Sequence, residues 1–240
     1  MRFGAIVLCA NEWRFVPAVV GQLKKYIDRV LIVRNRNALS GSPINLNPLP
    51  KTGIEGASLY VGSWSSEHEA RNAGIEQLMR DGYDYIFIVD SDEIFSDHAL
   101  FFLKDYCARE HPRAIRGGCC TYWKTSEWVI DPPEQLAVPV VVRNDVRFSY
   151  LRMVGEATTI TESRLFHHLS YVRTDEEMRE KLRCFGHASE VIPGWYQRVW
   201  KGWDVNRALE NLHPTHPAAF KRAVPSDGVV KKTLSLYGCT

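Results

Sequence analysis

The most constraining feature of the sequence is an apolar run that ends abruptly in acidic residues. Tyr85-Ile-Phe-Ile-Val89 consists of aromatic and aliphatic residues, and Asp90-Ser-Asp-Glu93 follows it directly. A strand whose apolar residues do not alternate with polar ones is buried on both faces, as in a parallel sheet. The run therefore predicts a central strand with charged side chains at its carboxyl end.

Strands and helices alternate before this run. The predicted elements are a strand over 3–9, a helix with Val16, Val19, Leu23 and Ile27 on one face, strands over 30–33 and 59–61, and a helix that the capping box Ser66-Glu-His-Glu69 opens and that runs to about residue 80. This alternation predicts an α/β fold with a Rossmann-like, doubly wound and mostly parallel twisted sheet, flanking helices and right-handed crossovers. Residues 35–56 are rich in Asn, Pro, Gly and Ser and predict a long loop.

The pattern changes after residue 95. The predicted elements are a helix over 96–109, short strands over 114–122, 138–143, 147–151 and 164–169, a helix opened by the capping box Thr174-Asp-Glu-Glu177, and a further helix before a Pro-containing tail. No linker composition separates the two parts. We therefore predict one domain over 1–240 with two halves, 1–95 and 96–240. The second half is expected to have a smaller β-rich part followed by C-terminal helices.

Bulk properties exclude several classes of protein. The chain has 240 residues, 45% of them hydrophobic, and a net charge of +2, which is an ordinary globular composition. It contains no stretch of eighteen or more apolar residues, so we expect no transmembrane segment, and its first apolar run is too short for a signal peptide. The six cysteines form no CxxC pair, which favours reduced thiols and a cytoplasmic location.

The acidic strand end predicts a metal site. Ligands of open α/β sheets bind beyond the carboxyl ends of the strands. Residues i and i+2 of an extended chain project to the same side, so Asp90 and Asp92 are expected to face one cation. Oxygen ligands suit Mn²⁺ or Mg²⁺. The alternative is that these acids cap the following helix, a role that Ser96 or Asp97 already fills.

Several motifs resemble family 2-type glycosyltransferases of the GT-A fold. They are Cys9-Ala-Asn-Glu12 after the first strand, Ala70-Arg-Asn-Ala-Gly-Ile75 on a helix, the run 85–93, and more loosely Phe166-His-His-Leu-Ser-Tyr-Val-Arg173 followed by Lys181 and Gly186-His187. The resemblance implies a metal-dependent, inverting transfer of a sugar from a nucleotide-diphosphate donor. It also implies that 1–95 binds the nucleotide sugar and 96–240 the acceptor.

The resemblance also implies roles for individual residues. The donor-binding set is Ala10, Asn11, Glu12, Arg34, Arg71, Asn72, Asp90, Ser91, Arg173 and Lys181. Asn11, Glu12 and Arg34 lie against the base and ribose, and Arg71 and Asn72 approach the ribose or diphosphate. Asp90, Asp92 and His168 are the implied metal ligands. UDP-sugar is the default donor, although Val33-Arg-Asn-Arg-Asn37 departs from the family pattern on the second strand and leaves the base open.

The chemistry of sugar transfer adds further candidates. A cation offsets the charge that grows on the departing diphosphate, and Arg173 and Lys181 add cationic support unless they are exposed helix-flanking charges. Inversion also needs a carboxylate that takes the acceptor proton. Glu156 in an apolar stretch is the first candidate for this catalytic base, and Glu127 and Asp131 are its rivals. His167 and His168 are expected to face opposite sides of a strand, so that only His168 reaches the site.

The C-terminal region combines aromatic and basic residues. Tyr196, Trp200 and Trp203 share one helical face, and residues 195–240 contain seven Lys or Arg against three Asp or Glu. The aromatic residues either cover the core or form a platform for an acceptor. A basic platform suits an anionic or lipid-linked glycan, with peripheral membrane contact, or a nucleic acid.

Three rival functions stay open at this point. Asp90-Ser-Asp-Glu-Ile94 nearly matches the aspartate-nucleophile pattern of a haloacid-dehalogenase-like phosphatase, although that pattern normally follows the first strand. A nucleotidyltransferase of similar fold would carry a Gly-rich, basic loop after the first strand, where this chain has Ala10-Asn-Glu-Trp13. A binding protein without activity would have little reason to keep both aspartates.

Overall fold

The structure is a computed structural model that describes residues 1–37, 46–50, 52–160, 165–184, 188–207 and 209–239. The strands are β1 (Phe3–Cys9), β2 (Arg29–Asn35), β3 (Ser58–Gly62), β4 (Tyr85–Asp90), β5 (Glu93–Phe95), β6 (Ala114–Gly117), β7 (Cys119–Trp123), β8 (Trp128–Asp131), β9 (Val138–Arg143), β10 (Thr158–Ile160), β11 (Phe166–Tyr171) and β12 (Arg222–Pro225). The helices are α1 (Val16–Leu23), α2 (Glu67–Arg80), α3 (Asp97–Glu110), α4 (Asp175–Cys184) and α5 (Val229–Leu236).

A mostly parallel sheet forms the centre of the described structure. Its seven strands follow the order β10-β6-β9-β4-β1-β2-β3. Strands β2 and β4 run parallel to β1, β3 runs parallel to β2, and β10 runs parallel to β6. Strand β9 runs antiparallel to its neighbours β4 and β6. Apolar clusters cover both faces, one including side chains of α1 and the other side chains of α2. The predicted α/β fold with a mostly parallel sheet and flanking helices is confirmed.

Strand β4 shows why its sequence lacks alternation. Phe87 and Val89 pack into the cluster on the α1 side, and Ile86 and Ile88 pack into the cluster on the α2 side. All four side chains are buried. The strand therefore has two apolar faces, and its first strongly polar side chain is Asp90 at the carboxyl end.

Helix α2 sits unusually close to the sheet at Gly74. A methyl group at this position would lie 2.7 Å from Cγ2 of Val33 and 2.8 Å from Cγ2 of Ile6. Such distances are too short for carbon atoms in van der Waals contact, which prefer about 3.5–4.0 Å. Glycine therefore allows this helix to approach β1 and β2 closely. Ser66 caps the helix as predicted by accepting a hydrogen bond from the backbone N–H of Glu69, while the Glu69 carboxylate accepts from the backbone N–H of Ser65, one residue before the cap.

A second sheet lies beside the first in the order β12-β8-β7-β11-β5. The predicted single strand over 114–122 is two strands, because β6 pairs with β9 in the central sheet and β7 pairs with β11 in the second one. The chain changes sheets at Gly118. The part of the chain after residue 96 thus contributes strands to both sheets. The division into halves 1–95 and 96–240 stays a prediction.

A cluster of aromatic side chains packs against the second sheet, and we call it the aromatic cluster. Its buried members are Trp123, Tyr171, Trp195, Trp200 and Phe220. The Trp123 ring lies edge-on to Trp195 and Trp200, with centroids 6.2 and 5.3 Å away. This packing supports the core interpretation for Trp200. Tyr196 and Trp203 are half-buried at its border.

The predicted strand over 147–151 is wrong. Asn72 takes both backbone groups of Phe148, accepting from its N–H at 2.8 Å and donating to its carbonyl at 2.9 Å. Leu151 then turns the chain with φ at 45°. The Asn72 side chain thus occupies the backbone groups of Phe148 that a neighbouring strand would otherwise bind. The periodicity of the sequence cannot predict such a contact.

The remaining predictions concern cysteines and membrane segments. Cys9, Cys107, Cys119, Cys120 and Cys239 are buried and form no disulfide bond, as expected for reduced thiols. Within the described parts of the chain, none of the helices combines the length and the apolar character that crossing a bilayer requires. Gly186 and His187, which belong to the looser part of the resemblance, lie outside the described residues.

Candidate active site at the carboxyl end of the central sheet

Parallel strands bring several polar side chains together at one edge of the sheet. Asp90 ends β4 in register with Leu8 of β1, and Leu8 is in turn in register with Val33 of β2. The residues after β1, at the end of β2 and after β4 therefore meet at this edge. The sequence placed Asn11, Arg34 and Asp92 at these positions.

Two buried arginines hold the acids at the tip of β4. Arg71 donates from Nη2 to both carboxylate oxygens of Asp90, at 2.7 and 2.9 Å, and from Nη1 to Glu67 at 2.6 Å. Arg152 donates from Nη1 to Glu93 at 2.5 Å and approaches Asp90 at 3.5 Å. We call Glu67, Arg71, Asp90, Glu93 and Arg152 the strand-tip cluster. Charge-assisted pairs of this kind fix side-chain geometry.

The two paired acids have pKa values that move in opposite directions. Burial alone would raise the pKa of Asp90, but the guanidinium groups of Arg71 and Arg152 outweigh it and lower the pKa below its usual range. Burial raises the pKa of Glu93, and the Asp90 charge adds to this rise against the opposing effect of Arg152. Asp90 is therefore the firmly charged member of the cluster.

Asp92 differs from both of these acids. Its side chain is only 10% exposed, yet two described side-chain nitrogen atoms near it lie beyond hydrogen-bond distance, Nη2 of Arg173 at 3.6 Å and Nε2 of His168 at 3.9 Å. A nearly buried carboxylate is costly without close polar partners. Of the three acids Asp90, Asp92 and Glu93, Asp92 is therefore the one whose negative charge lacks a close ion pair with a described residue and could be offset by a bound cation.

A cavity of 630 Å³ opens next to Asp92. Its lining includes Asn11, Glu12, Trp13, Asn47, Ser91, Asp92, Arg173, Glu176, Glu177 and Lys181. Arg173 bridges its floor by donating to Glu12 at 2.7 Å. Lys181 donates to the hydroxyl of Ser170 and lies 5.3 Å from the centre of the Tyr171 ring. The volume falls in the range of small-molecule sites, about 300–1,000 Å³.

Arg34 organises the wall that follows β1. It is buried at the end of β2, donates to the carbonyl of Ala10 at 3.1 Å and to Oδ1 of Asn11 at 3.3 Å, and lies over the Trp13 ring at 4.9 Å. Among the described residues, Nε1 of Trp13 is buried and has no hydrogen-bond partner. The donor-binding residues expected here thus lie together.

The two histidines of β11 face opposite ways, as predicted. His167 is buried with its Nδ1 at 3.1 Å from the Tyr122 hydroxyl, while His168 points toward Asp92. Because neighbouring strand residues alternate between faces, only His168 lies at the candidate site.

Several predicted site residues lie elsewhere or are occupied. Asn72 lies one residue after Arg71, but its amide is bonded to the backbone of Phe148. Glu156, the first candidate for the catalytic base, has an exposed side chain just before the edge strand β10. Three strand spacings separate β10 from β4, roughly 14 Å. Glu127 and Asp131 form exposed ion pairs with Lys231 and Arg222.

Sequence reasoning missed Arg152, Trp13 and Glu134. Arg152 is the one charged residue within Tyr150-Leu-Arg-Met-Val-Gly155, a signal that was available. Trp13 followed a noted motif directly. Glu134 lies between β8 and β9 and reaches Thr121 through a hydrogen bond from the threonine hydroxyl. Nothing in its local sequence marks it, since the contact spans thirteen positions and depends on how the two strands fold back.

Comparisons with known proteins add a likeness to solved structures. No protein-family model and no curated protein matches the chain. The chain is similar to S. aureus TarS at 14% identity and a TM-score of 0.44, covering 76% of this chain and 38% of that one. It is similar to TarS 1-349 in complex with UDP-GlcNAc at 13% identity and a TM-score of 0.44, covering 76% of this chain and 65% of that one.

A further similar structure is glucosyl-3-phosphoglycerate synthase from Mycobacterium tuberculosis in complex with Mn²⁺, UDP and phosphoglyceric acid. The identity is 11% and the TM-score 0.46, covering 74% of this chain and 73% of that one. The chain spans 38% of TarS and 65% of TarS 1-349 in complex with UDP-GlcNAc, which is less than two thirds of either of these two chains. Values of this size assign neither a family nor an activity, so the function has to be argued from the site.

Proposed function

We propose that this chain is a glycosyltransferase that binds a nucleotide-diphosphate sugar in the cavity beside Asp92, together with Mn²⁺ or Mg²⁺. The observation that carries the proposal is the contrast between Asp92 and its neighbours. Asp90 and Glu93 form short ion pairs with arginines, whereas Asp92 is nearly buried, with Arg173 at 3.6 Å and the His168 imidazole at 3.9 Å. Such a carboxylate beside a cavity is suited to a cation and its ligand.

The residues present fit a divalent cation. Asp92 offers carboxylate oxygens and His168 offers an imidazole nitrogen on the same side. Asp90 is held by Arg71 instead, and among the described residues it does not join Asp92 and His168 in a group whose ligand atoms all lie within 4.8 Å of one another. Oxygen and nitrogen donors of this kind suit Mn²⁺ and Mg²⁺. When bound, the ion would act as a Lewis acid on the leaving diphosphate.

The walls of the cavity support the nucleotide. Arg34 holds the segment 10–13, so that the Trp13 ring and its buried Nε1 border the space where a base or ribose would lie. Arg173 and Lys181 are cationic groups of the lining with which a diphosphate can pair, and a divalent cation would offset the acids that line the same cavity, which are Glu12, Asp92, Glu176, Glu177 and Glu180. These chain residues bind and orient the donor and exclude water from it.

Inversion of the configuration at the transferred sugar and UDP as the nucleotide are supported only by the resemblance of the sequence motifs. A glycan, lipid-linked glycan or nucleic acid as the acceptor is suggested only by the basic and aromatic residues of the C-terminal region. Glu156 does not support the role of the base, because it is exposed and lies away from the strand tip. We leave this role unassigned within the proposal.

The proposal is tested by thermal shift with a panel of nucleoside diphosphates, each with and without Mn²⁺. At a ligand concentration of about 100 times Kd, binding stabilises the folded state by about 2.7 kcal/mol. For a chain of this size that corresponds to a rise in Tm of roughly 5–10 °C. One nucleotide should give this rise only with Mn²⁺ present. A flat response to every nucleotide, with and without the ion, contradicts the proposal.

The phosphatase alternative loses support from the contacts of Asp90. A nucleophilic carboxylate attacks phosphorus with an oxygen lone pair, and the ion pair with Arg71 draws negative charge from both oxygens of Asp90. Turnover of an aryl phosphate that is lost in Asp90→Asn would favour this alternative over sugar transfer.

A further inference from the structure

Three chemically different metal-ligand groups converge on one face of the second sheet. Strands β7 and β11 are parallel neighbours, with Phe166 opposite Cys119 and His168 opposite Thr121. Alternate strand residues share a face, so Cys119, Thr121 and His168 project to the same side. Glu134 reaches this side from the segment between β8 and β9, where it accepts a hydrogen bond from Thr121.

The distances among these groups are short enough for a common ion. The Sγ of Cys119, a carboxylate oxygen of Glu134 and a ring nitrogen of His168 all lie within 4.8 Å of one another. Around tetrahedral Zn²⁺, sulfur and nitrogen ligands are about 3.5 Å apart, given bond lengths near 2.3 and 2.0 Å. An approach of about 1 Å, within the range of side-chain rotation, closes the site.

We propose that Cys119, Glu134 and His168 bind Zn²⁺, with the fourth tetrahedral position open to water or a ligand. A thiolate, an imidazole and a carboxylate form a set that zinc accepts and that Mn²⁺ and Mg²⁺ disfavour because of the sulfur. The hydrogen bond from Thr121 orients the Glu134 carboxylate, as outer contacts of zinc ligands do. Binding releases the thiol proton of Cys119 to solvent.

This site goes beyond the proposed sugar transfer and is separable from it. His168 belongs to both groupings, since its Nε2 also lies 3.9 Å from Asp92. Cys119 belongs to the zinc site alone. A change at Cys119 therefore tests zinc binding without touching the ligands proposed for Mn²⁺ and the donor.

The test is a titration of the metal-free full chain with Co²⁺, followed by displacement with Zn²⁺. Thiolate ligation gives a sulfur-to-cobalt charge-transfer band in the near ultraviolet, which oxygen and nitrogen ligands do not give. We expect this band at one Co²⁺ per chain and its loss on adding one equivalent of Zn²⁺. The band should vanish in Cys119→Ser and persist in Cys120→Ser, a matched control because Cys120 is the adjacent buried thiol on the opposite face of β7.

Glu134→Gln provides a second variant in case Cys119→Ser folds poorly. Glu134 is partly exposed, and we expect its variant to fold and to bind Co²⁺ at least 10-fold more weakly. Absence of the band in the wild type, or its persistence in Cys119→Ser, overturns the proposal. Mn²⁺-dependent nucleotide binding in Cys119→Ser reports on the sugar-transfer proposal separately, so that either proposal can fail alone.

Discussion

The strand-tip cluster and the aromatic cluster are both buried, but different forces hold them. In the strand-tip cluster, the guanidinium groups of Arg71 and Arg152 are surrounded by carboxylates at hydrogen-bond distance. In the aromatic cluster, Trp123 contacts other rings edge-on and face-on. Burying ion pairs adds little net stability, whereas burying aromatic surface adds much. The comparison indicates that the aromatic cluster contributes most to folding stability, whereas the strand-tip cluster fixes the positions of its charges at little net gain.

The largest expected effect is on stability, in the aromatic cluster. Trp200→Ala removes a buried ring that contacts Trp123 and donates to Asp175 at 2.9 Å. We expect a loss of about 3–5 kcal/mol in the free energy of unfolding, measured by urea denaturation. Trp203→Ala, at the half-buried border, should cost clearly less. Affinity for the Mn²⁺–nucleotide pair should stay unchanged, and a selective loss of ligand affinity would revive the acceptor-platform interpretation.

The next effect is on binding, at the strand tip. Asp92→Asn removes a charged ligand, and losing even an outer contact of a metal site costs 10–100-fold. We expect Mn²⁺-dependent nucleotide affinity to fall roughly 100-fold, about 2.7 kcal/mol, by calorimetry. Unfolding should be little changed, because Asp92 makes no short ion pair among the described residues. Asp105→Asn, an exposed acid on α3, serves as the control, and equal affinity in both variants would contradict the site.

A smaller effect separates Asp90 from Asp92 by its pH dependence. The folded-state pKa of Asp90 is lowered, so its stabilising contribution is present above its unfolded pKa of about 3.9 and is lost as pH falls through the folded value. Asp90→Asn should lower the free energy of unfolding by about 1–2 kcal/mol at pH 7, since the carboxylate is 30% exposed and partly screened. The difference should narrow below about pH 4. If the difference in the free energy of unfolding between the wild type and Asp90→Asn grew as the pH fell, the charged state assigned to Asp90 would be wrong.

The smallest effect is expected at Glu156. An exposed side chain at an edge strand usually contributes within about 0.5 kcal/mol. Glu156→Gln should therefore match the wild type in unfolding and in nucleoside diphosphate release from the donor that the screen identifies. A large fall in kcat with an unchanged Tm would restore Glu156 as the catalytic base.

The sequence was sufficient where a pattern repeats along the chain. The two-sided burial of β4, the caps at Ser66 and Ser96 and the opposite orientations of His167 and His168 follow from local periodicity and capping chemistry. These features of the sequence are enough to predict that Asp90 and Asp92 lie at the edge of a mostly parallel sheet.

The sequence was insufficient where distant segments meet. Arg152 reaches Ile88 and Glu93 across about sixty positions, and it does so because Asn72 holds the preceding segment at Phe148. Glu134 depends on how β8 and β9 return the chain. The pattern of residues along one strand or helix contains no information on these contacts.

The close seating of α2 at Gly74 couples the electrostatics of the site to the hydrophobic core. Arg71 lies one turn before this glycine on the same helix, so the depth of the helix sets how far its guanidinium reaches toward Asp90. A bulkier side chain at Ile6, Val33 or Gly74 would lift the helix and draw the positive charge away from the carboxylate. The charge balance around Asp90 is therefore adjustable by substitutions that touch neither a charged group nor the cavity.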